Sequence, residues 1–362
     1  MLVVDGRRRF ILGAYSGPDG DDPEGDLAAA GFRLLHTDLD MGALDRAHAL
    51  GLWAWLSVGA DDPAEAVRRY RHHPALLFWE TEDEPAWTWN EAGAKWTPEV
   101  LIAAYRAIKA EDPGRPVYVN HAPTNLVETL TRYRAAADIT ACDVYPVIPP
   151  GIRIQYALFP DGLQSDLLNP YISQVGRYTD KMRRVAGPGR SMFMVLQGFA
   201  WEMLRDEDDR DPAMIRYPTY EETRFMAYQA VIHGAHGLIY WGLHRTPVSS
   251  PFWADLCRVV GELAALEPVL AARPRLLPVR RRYHEMGHSV DAGIEVTART
   301  VEGRTWLLAA NADKNPARVT LSGLDAWRSA DVVGEDRRVA VAGGALTDEF
   351  APFGVHVYEL GE

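Results

Sequence analysis

Cysteine is nearly absent from this chain: 362 residues contain two, Cys142 and Cys257. Cys142 sits in an apolar run, ADITACDVY, and Cys257 in a helical pattern. Both are expected as buried free thiols, so no disulfide framework and no oxidising compartment is required. No apolar run reaches membrane-spanning length. The opening residues, MLVVDGRRRF, lack the charged-then-apolar order of a secretory signal. A cytoplasmic place is expected, with secretion the alternative if a leader has been removed. Positive charge is also scarce: 38 Lys and Arg stand against 50 Asp and Glu, a formal net charge of −12. Nucleic acid and anionic membranes are therefore not expected partners. One basic cluster, Arg273 and Arg275 followed by Arg280, Arg281 and Arg282, falls between folded segments and reads as a solvated patch. A Gly-rich phosphate loop is missing too, since GAYSGPDG lacks the required spacing. That argues against an open, doubly wound sheet.

What is present is alternation. Apolar runs occur at 10–15, 32–36, 52–58, 75–79, 116–120, 139–145, 192–197 and 237–241. Most are continuously apolar, as parallel strands covered on both faces are. Helical patterns follow them, about 26–30, 42–50, 62–72, 97–108, 125–136, 170–186, 219–232 and 251–267. Thr97 and Pro98 read as N-cap and first helical residue, and Thr219 with Glu222 has capping-box spacing. Eight such units in about 270 residues predict a closed (β/α)8 TIM barrel over 1–271. Beyond it the pattern changes. GIEVTART, TWLLAANA, ARVTLSGL, RRVAVAGG and GVHVYEL are short alternating strands. They predict a small antiparallel β-sandwich over 283–362 that supports the barrel, with 272–282 as linker.

Active sites of such barrels lie at the C-terminal ends of the strands. The strand-four end reads FWETEDEPAW, with Glu80, Glu82, Asp83 and Glu84 inside five residues. The other strand ends offer His36, Asp38 and Asp40, then Asn120 and His121, Asp143 and Tyr145, Gln197 with Trp201 and Glu202, and Trp241 with His244 and Arg245. Carboxylates and amides bond sugar hydroxyls, and aromatic faces take the apolar face of a sugar ring. A carbohydrate is the expected partner, with Asp38, Asp83, Trp87, Asn120, His121, Tyr145, Gln197, Trp201, Glu202 and Trp241 as substrate contacts. Trp89 and Trp96 share the strand-four loop with Trp87, which makes at least one stacking platform expected. Long loops at 82–96, 145–169 and 198–218 would wall in a pocket. Oligomeric state is not legible.

HPALLFWETEDEP resembles the fourth strand of the clan A glycoside hydrolases, where W-E-x-x-N-E-P ends in the catalytic acid. Trp79, Glu80, Glu84 and Pro85 match, and Asp83 replaces the usual Asn. DRAHALGLWAWLS (45–57) resembles the second helix and third strand of that clan. DVYP (143–146), VLQGFAW (195–201) and PTYEETRFMAYQAVIHGAHGLIYW (218–241) resemble uncharacterised bacterial barrels of the same type. NADKNPARVTL and FAPFGVHVYEL resemble the sandwich that trails them. The resemblance covers nearly the whole chain and implies a glycosidase that needs no cofactor or metal, with Glu84 as general acid. Neighbouring Glu82 and Asp83 would raise the Glu84 pKa, and Trp79 and Trp87 could add desolvation. The chain departs from the clan at strand seven, where Gln197 stands in place of the nucleophilic Glu. The second carboxylate must then come from elsewhere. Asp143 is the first choice, as base on a water across a gap of roughly 6.5–9.5 Å, which gives inversion. Glu202, swung into the place of Gln197, is the second and would give retention.

Two other readings stay open. Gln197 could mark a barrel that binds carbohydrate and has lost catalysis. HEMGH (284–288) fits the H-E-x-x-H zinc signature of a hydrolase, which needs His284 and His288 on one helix face. Gly287 and the strand-like SVDAGIEVTART argue against that helix, and His72 with His73 reads as a helix-end feature.

Overall fold

The computed structural model describes residues 1–87, 93–123, 125–149 and 172–362. The eight apolar runs are eight parallel strands: β1 (Ile11–Ala14), β2 (Leu34–Thr37), β3 (Trp53–Ser57), β4 (Leu76–Glu80), β5 (Val117–His121), β6 (Ile139–Val144), β7 (Ser191–Gln197) and β8 (Gly237–Trp241). Each pairs with the next, and β8 closes on β1 through Gly237 to Tyr240 opposite Ile11 to Ala14. Trp55, Phe78, Tyr118, Phe193 and Ile239 point inward and fill the barrel as one buried cluster. A short ribbon, Leu2–Val4 with Arg7–Arg9, carries Leu2 into that cluster and closes the floor.

A helix follows each strand: α1 (Pro23–Ala30), α2 (Met41–Ala49), α3 (Pro63–Tyr70), α4 (Pro98–Glu111), α5 (Val127–Thr131), α6 (Gln174–Ala186), α7 (Tyr220–Ile232) and α8 (Pro251–Ala265). The capping box at α7 is formed: Glu222 N donates to Thr219 Oγ1 at 3.2 Å, and Thr219 N donates to Glu222 Oε2 at 3.0 Å. Thr97 does precede α4, but its side chain makes no cap bond. Among the described residues no helix is long and apolar enough to cross a membrane.

The C-terminal strands form a six-stranded and a three-stranded antiparallel sheet around their own apolar cluster. The stretch expected as linker belongs to them. Pro274 and Arg275 pair with Arg299 and Ala298, and Arg280–His284 pairs with Ala317–Ser322. Arg280–His284 is an exposed edge strand of the three-stranded sheet, a place where charged side chains suit an edge and where the charge run disguised the strand. His284 is thus in a strand, bonded to Thr320 Oγ1 at 2.8 Å, and His288 bonds Pro316 O at 2.6 Å. The two rings share no helix face, so the zinc reading of HEMGH lacks its geometry.

The sandwich packs on α7. Leu308, Ala310, Val355 and Val357 join the core outside the barrel, and Phe353 meets Phe225 with ring centroids 5.2 Å apart. Arg224 clamps this joint. It bonds both oxygens of Glu262 at 2.8 Å and reaches Val355 O at 2.7 Å, while Tyr228 OH donates to Glu262 at 2.6 Å. Arg224→Met strands the Glu262 carboxylate in this half-buried setting. It is expected to cost about 2–3 kcal/mol, below the 3–5 of a fully buried pair. Denaturant unfolding checks it, as a drop in the midpoint with an unchanged slope.

Candidate active site

The four strand-four acids have four different placements. Glu80 ends β4 and points into the barrel, where Trp55 Nε1 donates to it at 3.0 Å and Ser57 Oγ at 2.6 Å. Glu82 turns sideways and accepts from Ala60 N at 2.9 Å, tying the β4 loop to the β3 loop. Asp83 and Glu84 line a cavity of about 280 Å³ at the C-terminal mouth of the barrel. Glu84 lies there through its backbone. Its φ of 48° is left-handed, a costly conformation for a non-glycine residue. The turn is held by Glu84 N donating to Asn120 O at 3.1 Å and Trp87 N donating to Glu84 O at 3.0 Å.

Asn120 on β5 stands between β4 and β6 and draws their acids together. Its Nδ2 donates to Asp83 Oδ1 at 3.0 Å and to Asp143 Oδ1 at 3.3 Å. Asp143 and Glu84 line the same cavity, and each affects the titration of the other. Two buried carboxyls side by side disfavour a second negative charge, so the pair favours holding a proton. Electrostatics agrees. Burial, then the charge of Asp83, pushes Glu84 up to about 7 against the pull of Lys95. Burial, then Glu84 and Asp83, pushes Asp143 well above the usual carboxylate range. Glu80 below them is raised to about 7 by burial and then by Asp83. Asp83 opens to solvent through the cavity mouth, and burial by the surrounding wall raises it while Asn120 and Lys95 pull it back. Carboxyls this close cannot all ionise at neutral pH.

The opposite wall is aromatic. Tyr145 stacks on Trp241 with centroids 5.5 Å apart and planes 25° apart, and Phe199 meets Trp201 and Trp241 edge-on. Trp201 Nε1 donates to Tyr145 O at 3.2 Å, which fixes the indole. Gly242, at φ 88°, lets this cluster close, because a Cβ there would sit 2.5 Å from the Phe199 ring. Tyr15 and Trp87 line the rest. Acids on one side and ring faces on the other suit a ligand with hydroxyls and an apolar C–H face.

Of the sequence-derived site residues, Asp83, Glu84, Trp87, Asn120, Asp143, Tyr145, Trp201 and Trp241 line this cavity. Four others do not. Asp38 is exposed past β2, away from the cavity wall. His121 follows inward-facing Asn120 and therefore faces outward, against Tyr133, where burial pushes its ring down to about 3. Gln197 is fully buried and its amide is closed on backbone. It donates to Val147 O at 2.8 Å and Phe199 O at 3.0 Å, and accepts from Val147 N at 2.9 Å. It shapes the β6 and β7 loops and touches no ligand space. Glu202 is buried in a short 3-10 helix, accepting from Asp211 N at 2.7 Å, and does not line the cavity. Glu84 and Asp143 line the same cavity, and Asn120 bonds Asp143 from the strand between them. Trp96 packs on the outer core, and Trp89 and most of 145–169 lie outside the described residues. Tyr15 was missed, although it directly follows the first apolar strand. Glu80, a buried acid under the site, was seen but given no role.

No family model matches the chain, and no curated protein matches its sequence. Solved structures do match its fold. A GH30 endoxylanase from Clostridium papyrosolvens C71 is 12% identical with a TM-score of 0.51, covering 98% of this chain and 97% of that one. A GH27 β-L-arabinopyranosidase from Geobacillus stearothermophilus is 14% identical with a TM-score of 0.61, over 98% and 97%. AmyP in complex with maltose is 9% identical with a TM-score of 0.58, over 96% and 92%. What is shared is the fold, a parallel barrel with a trailing sandwich, in glycoside hydrolases.

Proposed function

We propose that this chain hydrolyses O-glycosidic bonds of a carbohydrate, with Glu84 as the proton donor. One observation carries the reading: Glu84 and Asp143 line one cavity at the barrel mouth, opposite a wall of stacked rings, where burial and like charge push both above the usual carboxylate range. A glycosidic oxygen must be protonated as it leaves, so its acid has to stay protonated near pH 7. Lone carboxyls in water do not. Here burial and like charge hold the proton, Glu84 delivers it, and Asp143 keeps it shared until the leaving oxygen arrives. Asp83 is held by Asn120 and faces the cavity. It meets the positive charge growing on the anomeric carbon. Tyr145 and Trp241 offer the platform on which a sugar ring stacks, and the small cavity suits a short saccharide.

A second reading has its own observation. Gln197 is locked into backbone bonds, so β7 supplies no carboxylate, and a barrel that only binds sugar would look alike there. A panel of aryl glycosides separates the two. Hydrolysis releases the aglycone from at least one member. Saccharide-dependent melting shifts with no aglycone release from any member would leave binding alone.

A further inference from the structure

The far end of the barrel carries a second cavity, of about 930 Å³, between the end of α6, the turn into β7 and the sandwich strand Ile294–Val301. Its charge is one-sided. Arg134, Arg183, Arg184, Arg190 and Arg299 line it, and Asp180 is the one carboxylate among its described lining residues. Asp180 is already engaged, 2.9 Å from His233 Nδ1 and 3.6 Å from Arg183 Nη1. Glu295, two residues before Thr297 on the sandwich strand, is turned to Gln229 and His233 at 3.0 Å each.

Arg299 decides what this cavity can take. It is 3% exposed, yet forms no ion pair with any carboxylate among the described residues. Its Nη1 donates to Thr297 Oγ1 at 2.6 Å and to Ala298 O at 3.1 Å, while its Nε is buried without an acceptor. A guanidinium taken out of water without a counter-charge is costly, and this one has more cations around it. His236, on the same cavity, is pushed down to about 3, by burial first and then by neighbouring positive groups that include Arg8, Arg183 and Arg299. An overall acidic chain has gathered its arginines here and left them short of acids.

We infer that this cavity binds a phosphate-type oxyanion, with Arg299 as the buried anchor and Arg183 and Arg184 at the rim. Several guanidiniums converging on one space match the several oxygens of a phosphate better than a single carboxylate. The volume exceeds that of a free phosphate, which favours the phosphate group of a phosphorylated small molecule. Because α6 and the sandwich strand both face the anion, binding should tighten the joint between the two domains and raise the melting temperature.

Thermal melts test this in inorganic phosphate, in glucose 6-phosphate and in chloride at matched ionic strength. The wild-type protein should melt higher, in a saturable way, with one or both phosphate compounds. Saturation by glucose 6-phosphate alone identifies a phosphorylated molecule as the ligand, and saturation by both means that free phosphate suffices. Arg299→Met should abolish the shift, and in chloride it should melt no lower than wild type because it removes a buried uncompensated charge. The rim variant Arg183→Gln/Arg184→Gln should weaken binding about tenfold, and it carries the test should Arg299→Met not fold. No shift beyond chloride in the wild type, or an unchanged shift in either variant, would overturn the inference.

Discussion

Glu84→Gln is expected to lower kcat/KM about 10²–10⁴-fold on glycosides with poor leaving groups, the range that general acid catalysis supplies. The amide keeps the shape of the side chain and can still bond Asp143, so the fold should hold. The backbone turn that aims residue 84 depends on its N–H and C=O, which the substitution leaves in place. KM should change little, because the lost proton matters in the transition state and not in ground-state binding.

Asp143→Asn is the second large effect, and it should appear in the pH profile. Two carboxyls in contact retain one proton because the second negative charge is disfavoured. With Asn at 143 the pair has one titrating carboxyl instead of two, and an amide that can only donate towards Glu84 favours its charged form. Glu84 then loses its proton at lower pH. The alkaline limb of kcat/KM, expected near 7 in the wild type from Glu84, should move to more acidic pH. At pH 7 the loss should be about 10–100-fold, with substantial recovery below pH 6. A loss that is equal at every pH would make Asp143 a structural support only. Stability should follow the same sign. Glu80 and Glu84 have folded pKa values of about 7, above their ordinary 4.5. Their contribution is complete below about 4.5 and is lost as pH rises through about 7. The folded state should therefore weaken over that window, and less so in Glu80→Gln.

The barrel was legible because strands covered on both faces leave continuous apolar runs, and all eight were visible in the chain. Glu84 was legible because D-E-P closes one of them. Orientation was harder to read. Side chains alternate along a strand, so Asn120 faces the cavity and His121 its back. Gln197 shows the same limit from another side: a polar residue at a strand end looks like a ligand contact until the loop carbonyl and amide of Val147 claim it. Asp143 was found at its strand end, but the Asn120 amide that bonds it from the neighbouring strand was not, since strand spacing says nothing of the side chains between. Tyr15 and the strand built on Arg280–His284 were overlooked for opposite reasons. One directly follows a short strand, and the other is a charged, exposed edge strand with no apolar alternation to mark it.

The most direct measurement compares two aryl glycosides of the same sugar, one with a leaving group that needs no protonation and one with a poor leaving group, in wild type and Glu84→Gln. Proton donation by Glu84 predicts a large loss on the poor leaving group and a much smaller one on the activated leaving group. An equal loss on both would contradict it and reduce Glu84 to a binding residue.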